Sequence, residues 1–131
     1  MKALIVDDSM TIRRIVAKAL ANVGITEYAE AANGLEAVKA AQNDQFDVIL
    51  LDWNMPQMTG IETLRSLRAA GNKTPVIMVT TEAEKARVVD AIRSGVNDYL
   101  IKPFTPEHLA EKIKRLVPLS EASGQKSEAR A

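Results

Sequence analysis

Four short apolar runs in this chain end on residues that can handle phosphate or a hard cation. Leu4-Ile5-Val6 ends on Asp7-Asp8, Val48-Ile49-Leu50-Leu51 on Asp52, Val76-Ile77-Met78-Val79 on Thr80, and Tyr99-Leu100-Ile101 on Lys102. Such runs are continuous rather than alternating and are separated by helix-like stretches, which predicts strands buried on both faces of a parallel sheet. Parallel strands bring their carboxyl ends to one edge, and open α/β folds bind ligands there. Three carboxylates, a hydroxyl and an ammonium that lie far apart in sequence are therefore expected to converge.

The segments between the runs read as helices. Ser9 suits an N-cap, Ile12, Ile15, Val16, Ala19, Leu20 and Val23 follow the 3.6-residue period, and Gly24 is a natural stop. A weaker strand over Thr26–Ala31 precedes a turn signal at Asn33-Gly34 and a short helix with Leu35, Ala37, Val38 and Ala41 on one face, ending near Asn43-Asp44. The next strand runs from about Asp47 to Leu51. Pro56 and Gly60 make the stretch from Asn54 a loop, after which Ile61, Leu64, Leu67 and Arg68 define a helix ending at Gly71. Pro75 leads into the fourth strand. A helix is expected over Glu82–Ser94, with Val88, Val89 and Ile92 inward and Gly95 as its C-cap. The last helix, from Pro106 to Val117, has Thr105 as N-cap and Pro at its first position. The alternation predicts an α/β fold, a (βα)₅ doubly wound parallel five-stranded sheet in a single domain over residues 1–117. Residues 118–131 are polar, small and aperiodic and are expected to form a flexible tail.

Charge and cysteine content narrow the chemistry. Lys plus Arg and Asp plus Glu both count 17, so no net charge points to nucleic acid or an anionic membrane. There is no cysteine and one histidine, which removes disulfides, thiolate zinc sites and cysteine nucleophiles. The first apolar stretch stops at two acids, so a signal peptide is not expected, and no apolar run approaches the ~20 residues that span a bilayer. A cytoplasmic monomer is the expectation.

Two adjacent acids at one strand end and a third at another would repel if all ionised in a partly desolvated crevice. A hard divalent cation compensates them, and Mg²⁺ or Mn²⁺ suits carboxylate oxygens where no nitrogen or sulfur set exists. A carboxylate beside such an ion can attack phosphorus. Asp52 is the expected nucleophile, because its strand is flanked by the others. Asp7 and Asp8 would hold the metal directly or through water, Lys102 would supply a point charge, Thr80 a hydroxyl donor, and amides near Trp53 and Thr81 further donors. Each residue has an ordinary alternative: Asp-Asp as a turn or cap, Lys-Pro as surface, Thr as a strand-end cap. Four strand ends with phosphate-compatible chemistry weigh together against coincidence.

With Asp7-Asp8-Ser9, Asp52-Trp53-Asn54-Met55-Pro56 through Gly60, Val79-Thr80 and Lys102-Pro103-Phe104 in this order, the chain resembles the receiver domain of bacterial two-component response regulators, and within them the single-domain chemotaxis type. The resemblance spans about residues 1–117. It implies a flavodoxin-like sheet of order 2-1-3-4-5 and a phosphoryl group passed from a sensor histidine kinase to Asp52. It implies Mg²⁺ on Asp7 or Asp8, Asp52 and the main-chain carbonyl of Asn54. It also implies a switch in which Thr80 moves toward the phosphoryl group and Tyr99 turns inward. Affinity for an output protein would then change on the face made by the Glu82–Ser94 helix, the Tyr99 strand and the last helix. A flagellar motor switch protein is the implied partner of the chemotaxis type.

Asn54 and Glu82 match positions that tune loss of the phosphoryl group, where a phosphatase can assist, and Thr81 departs from an alanine expected beside the site. Lys102-Pro103 is implied to be cis. Lys85 and Lys112 match output-face positions, whereas His108 reads as a surface residue and Trp53 as a shielding lid or a reporter of metal binding. Such a protein is not a turnover enzyme, although it catalyses its own phosphotransfer and autodephosphorylation. A receiver serving a phosphorelay or a phosphate sink is the alternative. A phosphatase of the haloacid-dehalogenase type would need an acid where Asn54 stands, and a receiver cut from a transcription factor is disfavoured by Met1 and the short tail.

Overall fold

A computed structural model describes residues 1–117. The elements run β1 (Lys2–Val6), α1 (Met10–Asn22), β2 (Glu27–Ala31), α2 (Gly34–Asn43), β3 (Val48–Leu51), α3 (Gly60–Ala69), β4 (Val76–Thr80), α4 (Lys85–Arg93), β5 (Asp98–Ile101) and α5 (Pro106–Leu116). The five strands form one parallel sheet in the order β2-β1-β3-β4-β5. This is the doubly wound arrangement. The predicted tail, 118–131, lies outside the described residues. No helix among the described residues is long and apolar enough to cross a membrane.

The continuous apolar runs are explained by two core layers. Successive side chains of a strand point to opposite faces, so Leu4, Val6, Ile49, Leu51 and Met78 pack with Leu64 and Leu67 of α3 and Ala91 of α4. Their neighbours Ala3, Ile5, Val48, Leu50, Ile77 and Val79 pack with Val16 and Leu20 of α1 and Leu109 and Ile113 of α5. Both faces are covered and neither can be polar.

Local signals set the helix starts. Ser9 accepts from the Ile12 amide (3.2 Å), and Thr105 from the His108 amide (3.1 Å) with Pro106 behind it. Thr59 and Glu62 form a reciprocal capping box for α3. Asn33-Gly34 is a helix start rather than a free turn: the Asn33 side chain accepts from the Glu36 amide (2.9 Å) and α2 begins at Gly34. The helix is thereby phased so that Ala37 is buried and Leu35, expected inward, is 56% exposed. The predicted stops at Gly24, Gly71 and Gly95 each follow a helix end, with φ of 85°, 84° and 104°.

α4 departs most from expectation. It begins at Lys85, not Glu82, and its buried residue is Ala91, whereas Val89 and Ile92 are exposed. The backbone groups of Glu82 are already engaged: its amide donates to Thr80 Oγ1 (3.2 Å) and its carbonyl accepts from the Tyr99 hydroxyl (2.6 Å). Both bonds tie Glu82 to the ends of β4 and β5, and the helix starts three residues further on. Glu84, the N-cap, makes no side-chain cap bond.

Candidate functional site

The register of the sheet brings the predicted residues to one edge. β1 pairs with β3 and β3 with β4, so the ends of these strands lie side by side. Asp7 and Asp52 are 3% and 5% exposed, Thr80 is fully buried, and Asp8 is exposed at the rim. Asp7, Asp8 and Asp52 can each offer an oxygen within 4.8 Å of one another. The Lys102 ammonium lies 2.8 Å from Asp7 Oδ2 and 3.4 Å from Asp52 Oδ2. The other oxygen of Asp7 accepts from the Ser9 amide (2.9 Å). The Lys102–Pro103 peptide is cis.

The electrostatics match a cation site. Burial first, and then the Asp7 charge, push the Asp52 carboxyl above the ordinary carboxylate value, opposed by Lys102 and the Thr80 hydroxyl. One ammonium faces three carboxylates, two of them buried, and this leaves an uncompensated negative charge. A hard divalent ion that takes a few carboxylate oxygens and keeps its waters fits that donor set.

Thr80 and Tyr99 meet through Glu82, a connection not visible in the sequence because it runs through main-chain atoms. The Tyr99 phenol is pushed up to about 12 by burial, with the nearby Glu82 and Asp52 charges acting in the same direction. Asn54 is exposed beside Asp52 in the chain, and Glu82 is half-buried. Trp53 is no lid: it is 3% exposed within the core, with the Arg87 guanidinium 5.6 Å over its ring. His108 and Lys85 are exposed, and Lys112 is paired with Asp98 at 3.0 Å.

Two residues contribute to the site in ways their sequence positions do not announce, Gly60 having read only as a loop and motif residue. Gly60 approaches the site so closely that a Cβ there would collide with the main-chain oxygen of Asp52, and its amide donates to the Trp53 carbonyl (2.8 Å). Arg13, in the first turn of α1, donates to the main-chain oxygen of Asp7 (2.6 Å) and to Glu30 (2.7 Å). A cation at a helix N-terminus opposes the macrodipole, and that oddity was the available signal.

The family model described as response regulator receiver domain matches residues 3–114. The chain is 46% identical to the chemotaxis protein CheY of Pseudomonas aeruginosa, covering 88% of this chain and 95% of the relative. It is 44% identical to chemotaxis protein CheY1 of Helicobacter pylori, over 87% and 94%. Among solved structures, chemotaxis protein CheY4 of Vibrio cholerae superposes with a TM-score of 0.80 at 40% identity, covering 88% of this chain and 98% of that one. A CheY-like receiver domain protein from Methanospirillum hungatei gives 0.83 at 32% identity, over 94% and 98%. An acid cluster faced by a strand-end lysine, on a five-stranded sheet that superposes on these proteins, leaves one conclusion: the chain belongs to the response regulator receiver domain family.

Proposed function

We propose that residues 1–117 are a receiver that takes a phosphoryl group from a histidine kinase on Asp52 and thereby changes its affinity for a protein partner in chemotaxis. The observation that carries this reading is the Lys102 ammonium, set between the carboxylates of Asp7 and Asp52 at 2.8 and 3.4 Å beside the buried Thr80. An Asp52 oxygen attacks phosphorus, and the new O–P bond forms as the P–N bond of phosphohistidine breaks. The imidazole nitrogen leaves with the electron pair and is protonated by solvent. Lys102 supplies charge to the phosphoryl oxygens, and the Thr80 hydroxyl donates to one of them. Mg²⁺ or Mn²⁺, held by Asp7, Asp8, Asp52 and the main-chain carbonyl of Asn54, offsets the acids and the phosphoryl charge when bound.

The switch follows from shared partners. Thr80 accepts from the Glu82 amide, and a rotation of its side chain toward a phosphoryl group would break that bond. Its departure loosens Glu82, whose carbonyl holds the Tyr99 hydroxyl. Tyr99 is then free to turn inward, and the α4–β5–α5 face is altered. Asn54 and Glu82, at the rim, govern the loss of the phosphoryl group, and a phosphatase would act there. The names of the relatives support chemotaxis as the setting, and a flagellar motor switch protein is the partner that the family resemblance implies. The test is the affinity of a motor-switch N-terminal peptide with and without phosphorylation. Tighter binding to the phosphorylated form is expected, and unchanged affinity would assign the chain to a phosphorelay or a phosphate sink.

A further inference from the structure

We propose that Arg13 is a positioning residue of the acid site: by gripping the main-chain carbonyl of Asp7 it orients the Asp7–Asp8 peptide and so aims the Asp8 carboxylate. The inference rests on reading Asp7, Asp8 and Asp52 as a cation site. Both carboxylate oxygens of Asp7 are already fixed, one by the Ser9 amide and the other by Lys102. Asp8 is different. Its carboxylate is exposed and accepts no hydrogen bond from the described residues, so the peptide it is mounted on decides which positions its rotamers can reach. On one side of Asp7 the chain is tied through its amide to the Ala31 carbonyl (3.1 Å). On the other side, the peptide that leads to Asp8 is held by Arg13 Nη1 at 2.6 Å.

Arg13 is itself moored. Its Nε bonds Glu30 Oε1 on β2 at 2.7 Å, and its side chain is 14% exposed. The planar fork thus bridges β2 and the β1–α1 loop, a geometry that a lysine cannot reproduce. The charge of Arg13 would by Coulomb's law weaken cation binding nearby. Any contribution to cation affinity therefore has to come through geometry, and the two effects have opposite signs.

Mg²⁺ titrated by calorimetry and by Trp53 fluorescence distinguishes them. Arg13→Lys, which keeps the charge, is expected to bind Mg²⁺ about tenfold more weakly than wild type, the scale of lost outer-shell support, and Arg13→Gln, which also removes the repulsion, is expected to lose less and still to bind more weakly. Glu30→Gln, which weakens the mooring of the guanidinium by removing its charge, should shift affinity less and in the same direction, and it serves if the Arg13 variants do not fold. In an Asp8→Asn background, Arg13→Lys should add little further loss, because Arg13 acts through Asp8. The proposal is overturned if Arg13→Lys matches wild type, if Arg13→Gln binds more tightly, or if the two losses are fully additive. Absence of Mg²⁺ binding by the wild type would overturn the reading of the site itself, and the proposal with it.

Discussion

Asp52 is buried against a like charge, and its proton is held more tightly in the folded chain than in the unfolded one. The stability it contributes is therefore greatest below its ordinary value of 3.8 and falls as pH rises through its elevated folded value. Asp52→Asn should melt higher than wild type at neutral pH without divalent ions, and the difference should close in acid below 3.8. Saturating Mg²⁺ should raise wild type more than the variant, as expected of the cation site proposed for the folded acid cluster. Thermal melts at several pH values check all three expectations. At Tyr99, removal of the hydroxyl leaves the Glu82 carbonyl without its donor, and Tyr99→Phe should cost about 1 kcal/mol. The stability tied to the Tyr99 proton is complete below 10 and is lost as pH rises toward its folded value of about 12. Ultraviolet titration should place one phenol near 12, and a midpoint at 10 for every tyrosine would contradict the described environment. Asp7, Asp52, Thr80 and Lys102 were legible in the sequence because each closes an apolar run. The Glu82 relay and the Arg13 grip were not, since both act through main-chain atoms that no residue letter reveals.

At the scale of elements, strands were easier to read than helix boundaries. Burial on both faces leaves an unbroken apolar signature, and Val48–Leu51 and Val76–Thr80 are wholly buried. The start of α4 was misplaced because its local pattern is helical, while side chains from β4 and β5 hold Glu82 in another conformation. Leu35 misled for a related reason: the Asn33 cap sets the phase of α2, and periodicity alone does not fix which face meets the sheet. The α3 start carries the clearest test. Gly60 is the first residue of α3, and a methyl group there meets the Asp52 carbonyl. Gly60→Ala should destabilise by about 2–3 kcal/mol, the scale of overpacking, and should also weaken Mg²⁺ binding by displacing the end of β3. Chemical denaturation with a parallel Mg²⁺ titration would show it, and wild-type values in both would contradict the close approach.

For the whole molecule, the sequence carried the parallel sheet and the shared edge, whereas the strand order came from the family resemblance. Apolar runs say that a strand is buried, not which neighbour it has. The observed order sets β3 centrally between β1 and β4, and this is what brings Asp52 between the Asp7 and Thr80 ends. Two core layers cover that sheet on both faces, and α4 beside it begins without a side-chain cap bond. That sheet edge is what we propose makes Asp52 a phosphoacceptor. The direct measurement is the intact mass of the protein after incubation with Mg²⁺ and a small phosphodonor, compared with Asp52→Asn. Under that proposal wild type gains one phosphoryl group, stable in acid and labile in base, and the variant gains none. Equal labelling of the two proteins would contradict it.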